Sequence, residues 1–164
     1  MNKSKITCFH YKKYDDIYVD NVKFTLDKLL LVLNIFPNEK VIALIDSDID
    51  FSTILSSIGE NVQMSIVSNT NFGFIAICNK KELSLIFKHT DIHDLEGLFI
   101  ADFNKDVIFK EVVPSLENIA SSMVKKNIAD ISLSVNFTEN EMIISLSKSR
   151  YSVSLIKDIV RSIF

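Results

Sequence analysis

Three histidines, two cysteines and a scatter of carboxylates are the groups of this chain that could do chemistry, and their spacing decides which chemistry is open to them. Asp46, Asp48 and Asp50 alternate as the first carboxylates of a calcium loop do. Such a loop needs glycine at its sixth position and glutamate at its twelfth, where Phe51 and Ser57 stand. The residues suit instead a strand ending at Asp46 and a helix capped by Asp50. His89 and His93 are four apart, the spacing that sets two metal ligands on one face of a helix, with Asp91, Asp94 and Glu96 nearby as oxygen donors. The zinc-protease version requires glutamate directly after the first histidine, and Thr90 is there. The segment reads as a loop or single turn, so a solvated connector is expected and no metal. Cys8 and His10 alternate along a strand and share a face. A cysteine nucleophile needs an imidazole within hydrogen-bond reach and a third group to orient it, yet side chains two apart on a strand start about 7 Å apart. The expectation is a small buried hydrophobe beside an edge histidine, and Cys78, on an apolar strand with Ile75 and Ile77, is expected in the core.

Glycine-dependent sites are excluded by count. The chain of 164 residues has three glycines and two prolines, where average usage gives about eleven and about eight. Gly59, Gly73 and Gly97 are scattered, and none opens a dinucleotide fingerprint or a P-loop, so no cofactor is expected. The lysine pairs at 12–13, 80–81 and 125–126 form no stripe, and a net charge of −3 argues against direct nucleic-acid binding.

The elements that must position these groups read as one α+β domain over residues 1–164, mainly antiparallel sheet with about four helices. Helices are expected at 26–36 after Thr25, at 51–58 after Asp50, at 114–126 behind Pro114, and at 152–164. Strands are expected at 5–11, 17–24, 41–45, 62–67, 72–78, 83–88, 98–103, 106–111, 131–137 and 142–148. Short polar links at 68–71, 79–82, 104–105 and 138–141 suit hairpins, and asparagine must supply any positive φ that glycine would usually take. The repeated Ile-Ser-Leu-Ser pattern puts serine on the wet face. The most apolar run, from Leu29 to Phe36, is less than half of the ~20 residues that span a bilayer, and no apolar stretch follows the basic Met1–Lys5. A cytoplasmic protein with free thiols and no membrane contact is expected.

Charge is segregated along the chain. Between Val41 and Asn79 there is no lysine or arginine, while Asp46, Asp48, Asp50 and Glu60 are negative; between His89 and Asn104 the same holds with Asp91, Asp94, Glu96 and Asp102. If the fold joins the two stretches, one face attracts a basic partner. In size, charge and class the chain resembles bacterial immunity proteins of the contact-dependent inhibition type, which bind and block a cognate toxin such as a nuclease. The resemblance implies a non-enzymatic inhibitor whose carboxylates occupy the position of nucleic-acid phosphates. Asp46, Asp48, Asp50, Asp91 and Asp94 are the first candidates for contact with a basic toxin domain. Two alternatives are a secretion chaperone, a class that usually begins with a helix, and a small hydrolase or transferase assembled from His10, His89 or His93 with Asp91 or Asp94.

Overall fold

The computed structural model describes residues 3–47, Ser56, 65–70, 73–102 and 129–164. The architecture is α+β, as expected, with helices packed on an antiparallel sheet. In chain order the elements are β1 (Lys5–His10), β2 (Tyr14–Asp20), α1 (Leu26–Leu33), β3 (Lys40–Ser47), β4 (Ser65–Thr70), β5 (Gly73–Asn79), α2 (Lys80–His89), a 3-10 turn (Ile92–Asp94), β6 (Leu95–Asp102), β7 (Ile131–Asn136), β8 (Glu141–Ser147) and α3 (Val153–Ile163). The eight strands form one sheet in the order β1-β2-β8-β7-β6-β3-β5-β4, every neighbouring pair antiparallel.

Period-two alternation gives the sheet its two faces. Ile17 and Val19 of β2 lie opposite Ile144 and Met142 of β8, which lie opposite Leu133 and Val135 of β7, and Ile100 and Leu98 of β6 continue the rows to Ala43 and Ile45 of β3. All of these are buried, and with Leu29, Val32 and Leu33 of α1, Leu83, Ile86 and Phe87 of α2, and Ile156 and Val160 of α3 they form the core. The opposite face is uneven. Ile42, Phe99, Ala101, Ser132 and Ser145 are buried there, whereas Phe9 is 47% exposed. Serine therefore does not mark a wet face: Ser132 and Ser145 are both 0% exposed, and Ser145 donates from Oγ to Asp16 Oδ1 at 2.6 Å.

The strand expected at 83–88 is a correction: the segment lies within the helix α2. Asn79 accepts from the Glu82 amide at 2.8 Å while Glu82 Oε2 accepts from the Asn79 amide at 2.9 Å, a capping box that starts α2. Leu83, Ile86 and Phe87 then fall on one helical face and are buried. The link at 79–82 is thus a helix start rather than a hairpin. The second strand begins at Tyr14 and ends at Asp20, displaced from the expected 17–24 because Asn21, at φ 56°, turns the chain out of the sheet. Thr25 caps α1 by accepting from the Lys28 amide at 3.3 Å, as expected. Among the described residues, positive φ outside glycine occurs at Asn21 and Asn140, the residue type expected to take it. The amphipathic stripe of α3 is only partly used: Ile156 and Val160 are buried, but Leu155 is 61% exposed. Leu31 of α1 is half exposed, so that helix is not buried all round. The helices expected at 51–58 and 114–126 and the strand at 106–111 lie outside the described residues.

Candidate functional site

Two of the five expected contact residues, Asp48 and Asp50, lie outside the described residues. The other three are brought to one end of the sheet. Asp46 sits near the end of β3 opposite Gly97 of β6, and the register slips between Asp46 and Ser47, which pairs with Leu95. Glu96 is the extra residue of this bulge. Simple alternation would aim it at the core; the slip sends Leu95 inward and leaves Glu96 exposed. Asp91 caps the 3-10 turn by accepting from the His93 amide at 3.0 Å, and Ser47 Oγ donates to the Asp94 carbonyl at 2.9 Å. The two lysine-free acidic stretches therefore meet, with Asp91, Asp94 and Glu96 exposed.

Beside this end lies a cleft of about 430 Å³, within the range of small-ligand and side-chain pockets. Phe24, Leu95 and Phe137 supply its apolar wall, and Lys23, His93, Glu96 and Asn140 its polar groups. Phe24 and Phe137 meet edge to face at 5.1 Å, and Lys28 Nζ stands 5.2 Å from the Phe164 ring centroid, tying α1 to the end of α3 behind the cleft.

Asp102 does not join the acidic end. It lies at the far end of β6, opposite Val41, is 2% exposed, and accepts from Asn38 Nδ2 at 2.7 Å. Burial, with the charges of Asp102 and Asp130, pushes the Tyr151 hydroxyl up to about 12. The histidines are dispersed and exposed: His89 ends α2, His93 lies in the 3-10 turn, and His10 ends β1. Thr90 leaves the helix in an extended conformation, so His89 and His93 share no helical face. Among the described residues no group of three potential metal ligands occurs. His10 Nδ1 meets Asp15 Oδ1 at 2.8 Å, and Lys148 Nζ approaches the same oxygen at 3.4 Å. Asp15 is 5% exposed, so the His10 ring and the Lys148 ammonium partner a carboxylate buried beneath the β1–β2 corner. Cys8, expected to be buried, is only partly buried against the core.

Sequence reasoning missed the face of β1 and β2 turned away from α1, α2 and α3. Tyr14, Asp16, Tyr18 and Asp20 alternate with the buried Asp15, Ile17 and Val19, so all four, half-buried, stand on the face away from α1, α2 and α3. Phe9 lies opposite Asp16, Thr7 opposite Tyr18 and Lys5 opposite Asp20. The Tyr18 hydroxyl donates to Glu141 of β8; that bond, burial and the charges of Glu141, Asp20 and Glu139 push it up to about 12. Burial also raises the Asp16 carboxyl, against the bond from Ser145. The signal was present as Tyr-x-Asp-x-Tyr-x-Asp at period two, and starting the strand at Ile17 concealed it.

Among the described residues no helix is long and apolar enough to cross a membrane. Compared with protein-family models, with curated proteins and with solved structures, the chain matches none of them.

Proposed function

We propose that this chain is a binding protein that docks a basic protein partner at the acidic end of its sheet, in the manner of an immunity protein that occupies and blocks a toxin domain. The observation that carries the reading is the hydrogen bond from Ser47 to Asp94, which brings the described end of the first lysine-free stretch against the second. Asp46, Asp91, Asp94 and Glu96 supply the charge that steers a cationic surface, and the adjoining cleft offers a pocket for one anchoring side chain. The patch is preorganised by backbone: the Phe137 amide donates to the Glu96 carbonyl at 3.0 Å, so β6 and the β7–β8 hairpin hold the cleft wall in place.

The test is direct binding to the purified product of the adjacent reading frame, since an immunity gene lies beside its toxin. Saturable binding that weakens about tenfold or more in the Asp46, Asp91, Asp94→Asn triple variant, and that falls with added salt, is expected. An unchanged dissociation constant in a folded triple variant sinks the reading.

A further inference from the structure

We propose that the face of β1 and β2 turned away from α1, α2 and α3 is a separate docking surface, which takes an extended segment bearing arginine or lysine as an added strand on the edge of β1. The surface stands on different residues from the acidic end and shares with the reading above only the positive charge of the partner.

Three observations converge on it. Among the described residues β1 pairs on one side only, with β2, and strand addition would use its other row of backbone groups. An edge is ordinarily blunted by charge, proline or a bulge. Here Lys5 is the sole lysine of the strand, and Phe9 and Tyr11 are 47% and 43% exposed. The aromatic rings are already packed in fixed geometry, Phe9 on the edge of Tyr18 at 6.5 Å and Tyr11 stacked on Tyr14 at 4.5 Å, so a ligand need not order them.

Charge selects the occupant. Asp16 and Asp20 alternate with Tyr14 and Tyr18, and Glu141 closes the face on the β8 side, so three carboxylates share the face with the single lysine of β1, Lys5, which lies opposite Asp20. Ring faces beside carboxylates favour a cation and repel phosphate. Geometry narrows the choice further. A strand added to β1 would lie two strand spacings, about 10 Å, from β2. Only a long side chain crosses that distance, its apolar stem over Phe9 and its charge against Asp16 or Asp20. The high Tyr18 hydroxyl is consistent with the negative field that such a charge would meet.

The probe is an acetylated, amidated octapeptide alternating arginine with valine, titrated into the intact chain by heteronuclear magnetic resonance. Expected are shifts at the Lys5–His10 amides and the Tyr18 ring, slower amide exchange along β1, and silence from the same peptide with glutamate for arginine. The dissociation constant should rise about tenfold in Asp16→Asn and in Tyr18→Leu, and stay unchanged in Asp91, Asp94→Asn. Asp16→Asn keeps an oxygen to accept from Ser145, so it remains a test even if Tyr18→Leu fails to fold. No binding at millimolar peptide, wild-type affinity in Asp16→Asn, tighter binding of a single-stranded oligothymidylate, or a dimer in light scattering that protects β1 would each overturn the proposal. Loss in the Asp91, Asp94→Asn variant alone would assign the peptide to the acidic end instead.

Discussion

Tyr18 tests the electrostatics of the outer β1–β2 face with one proton. Its hydroxyl donates to Glu141, and this bond outranks burial and the neighbouring charges in raising it from an ordinary 10.0 to about 12. Near pH 11 a phenol of ordinary acidity is about nine-tenths ionised, whereas one at about 12 is about one-tenth ionised. Glu141→Gln keeps the shape and removes the charge, so a phenolate at Tyr18 no longer faces a carboxylate. Its titration should move most of the way back towards 10.0, with burial and the charges of Asp20 and Glu139 leaving a remainder. The curve of Tyr18 alone is the phenolate absorbance of the wild type minus that of Tyr18→Phe, read within milliseconds of a pH jump. Speed matters because a hydroxyl raised by folding contributes stability that is complete below the unfolded value of 10.0 and is lost as pH climbs towards about 12. Tyr151, also raised to about 12 but with burial as the first cause, is the internal control and should not respond to Glu141→Gln. A Tyr18 curve unmoved by Glu141→Gln would refute the reasoning and mean that burial, not charge, governs this face.

The remaining predictions concern stability and can be read by urea denaturation. Asp16 has its carboxyl raised by burial, so its ionisation favours the unfolded chain as pH rises above the ordinary 3.8. Asp16→Asn should therefore match or exceed wild-type stability at pH 7, with the advantage fading on acidification; a variant clearly less stable at pH 7 would contradict this. Asn140 holds φ 57° in the β7–β8 turn, so Asn140→Gly should be neutral or slightly stabilising while Asn140→Ala costs about 1 kcal/mol. Equal stabilities for the two would remove the conformational argument. Leu133, 1% exposed in the middle of the sheet, should cost about 2–5 kcal/mol on truncation to alanine, whereas Leu155→Ser on the exposed side of α3 should stay within about 0.5 kcal/mol.

What was legible in the sequence followed periodicity and capping. Thr25 before Leu26, and Leu29 with Val32 and Leu33 behind it, announce α1, and the alternation through Ile131–Asn136 and Glu141–Ser147 announces two paired strands. The failure at Lys80–His89 has a physical cause. The run Leu-Ser-Leu-Ile-Phe is short and apolar enough to suit either period, and the deciding signal was the asparagine and glutamate three apart at 79 and 82, which cap a helix. Sheet order could not be read at all, because β3 lies between β5 and β6, far from its chain neighbour β2. The meeting of Ser47 with Asp94 depends on that order, and so does the removal of Asp102 to the opposite end of the same strand. Charge counted along the chain therefore put Asp102 in a patch where the sheet does not place it.

The scarcity of glycine bears on how the acidic end can function. The chain has three glycines, and among the described residues the two asparagines in the left-handed region support each other: the Val22 amide, just after Asn21, donates to the Asn140 carbonyl at 2.9 Å. Asparagine tolerates that conformation but samples fewer alternatives than glycine does, so less backbone entropy is lost on folding. Asn140 also lines the cleft, whose other walls are fixed by the Phe137–Glu96 and Ser47–Asp94 hydrogen bonds. Four separate segments are thus tied to one another around a single surface before any partner arrives. A surface built in this way spends little of its binding free energy on ordering itself. Loosening it should weaken binding through the dissociation rate rather than through electrostatic encounter, which depends on charge and not on rigidity. Ser47→Ala, which removes a strut and no charge, should raise the dissociation rate of a basic partner and leave its association rate unchanged.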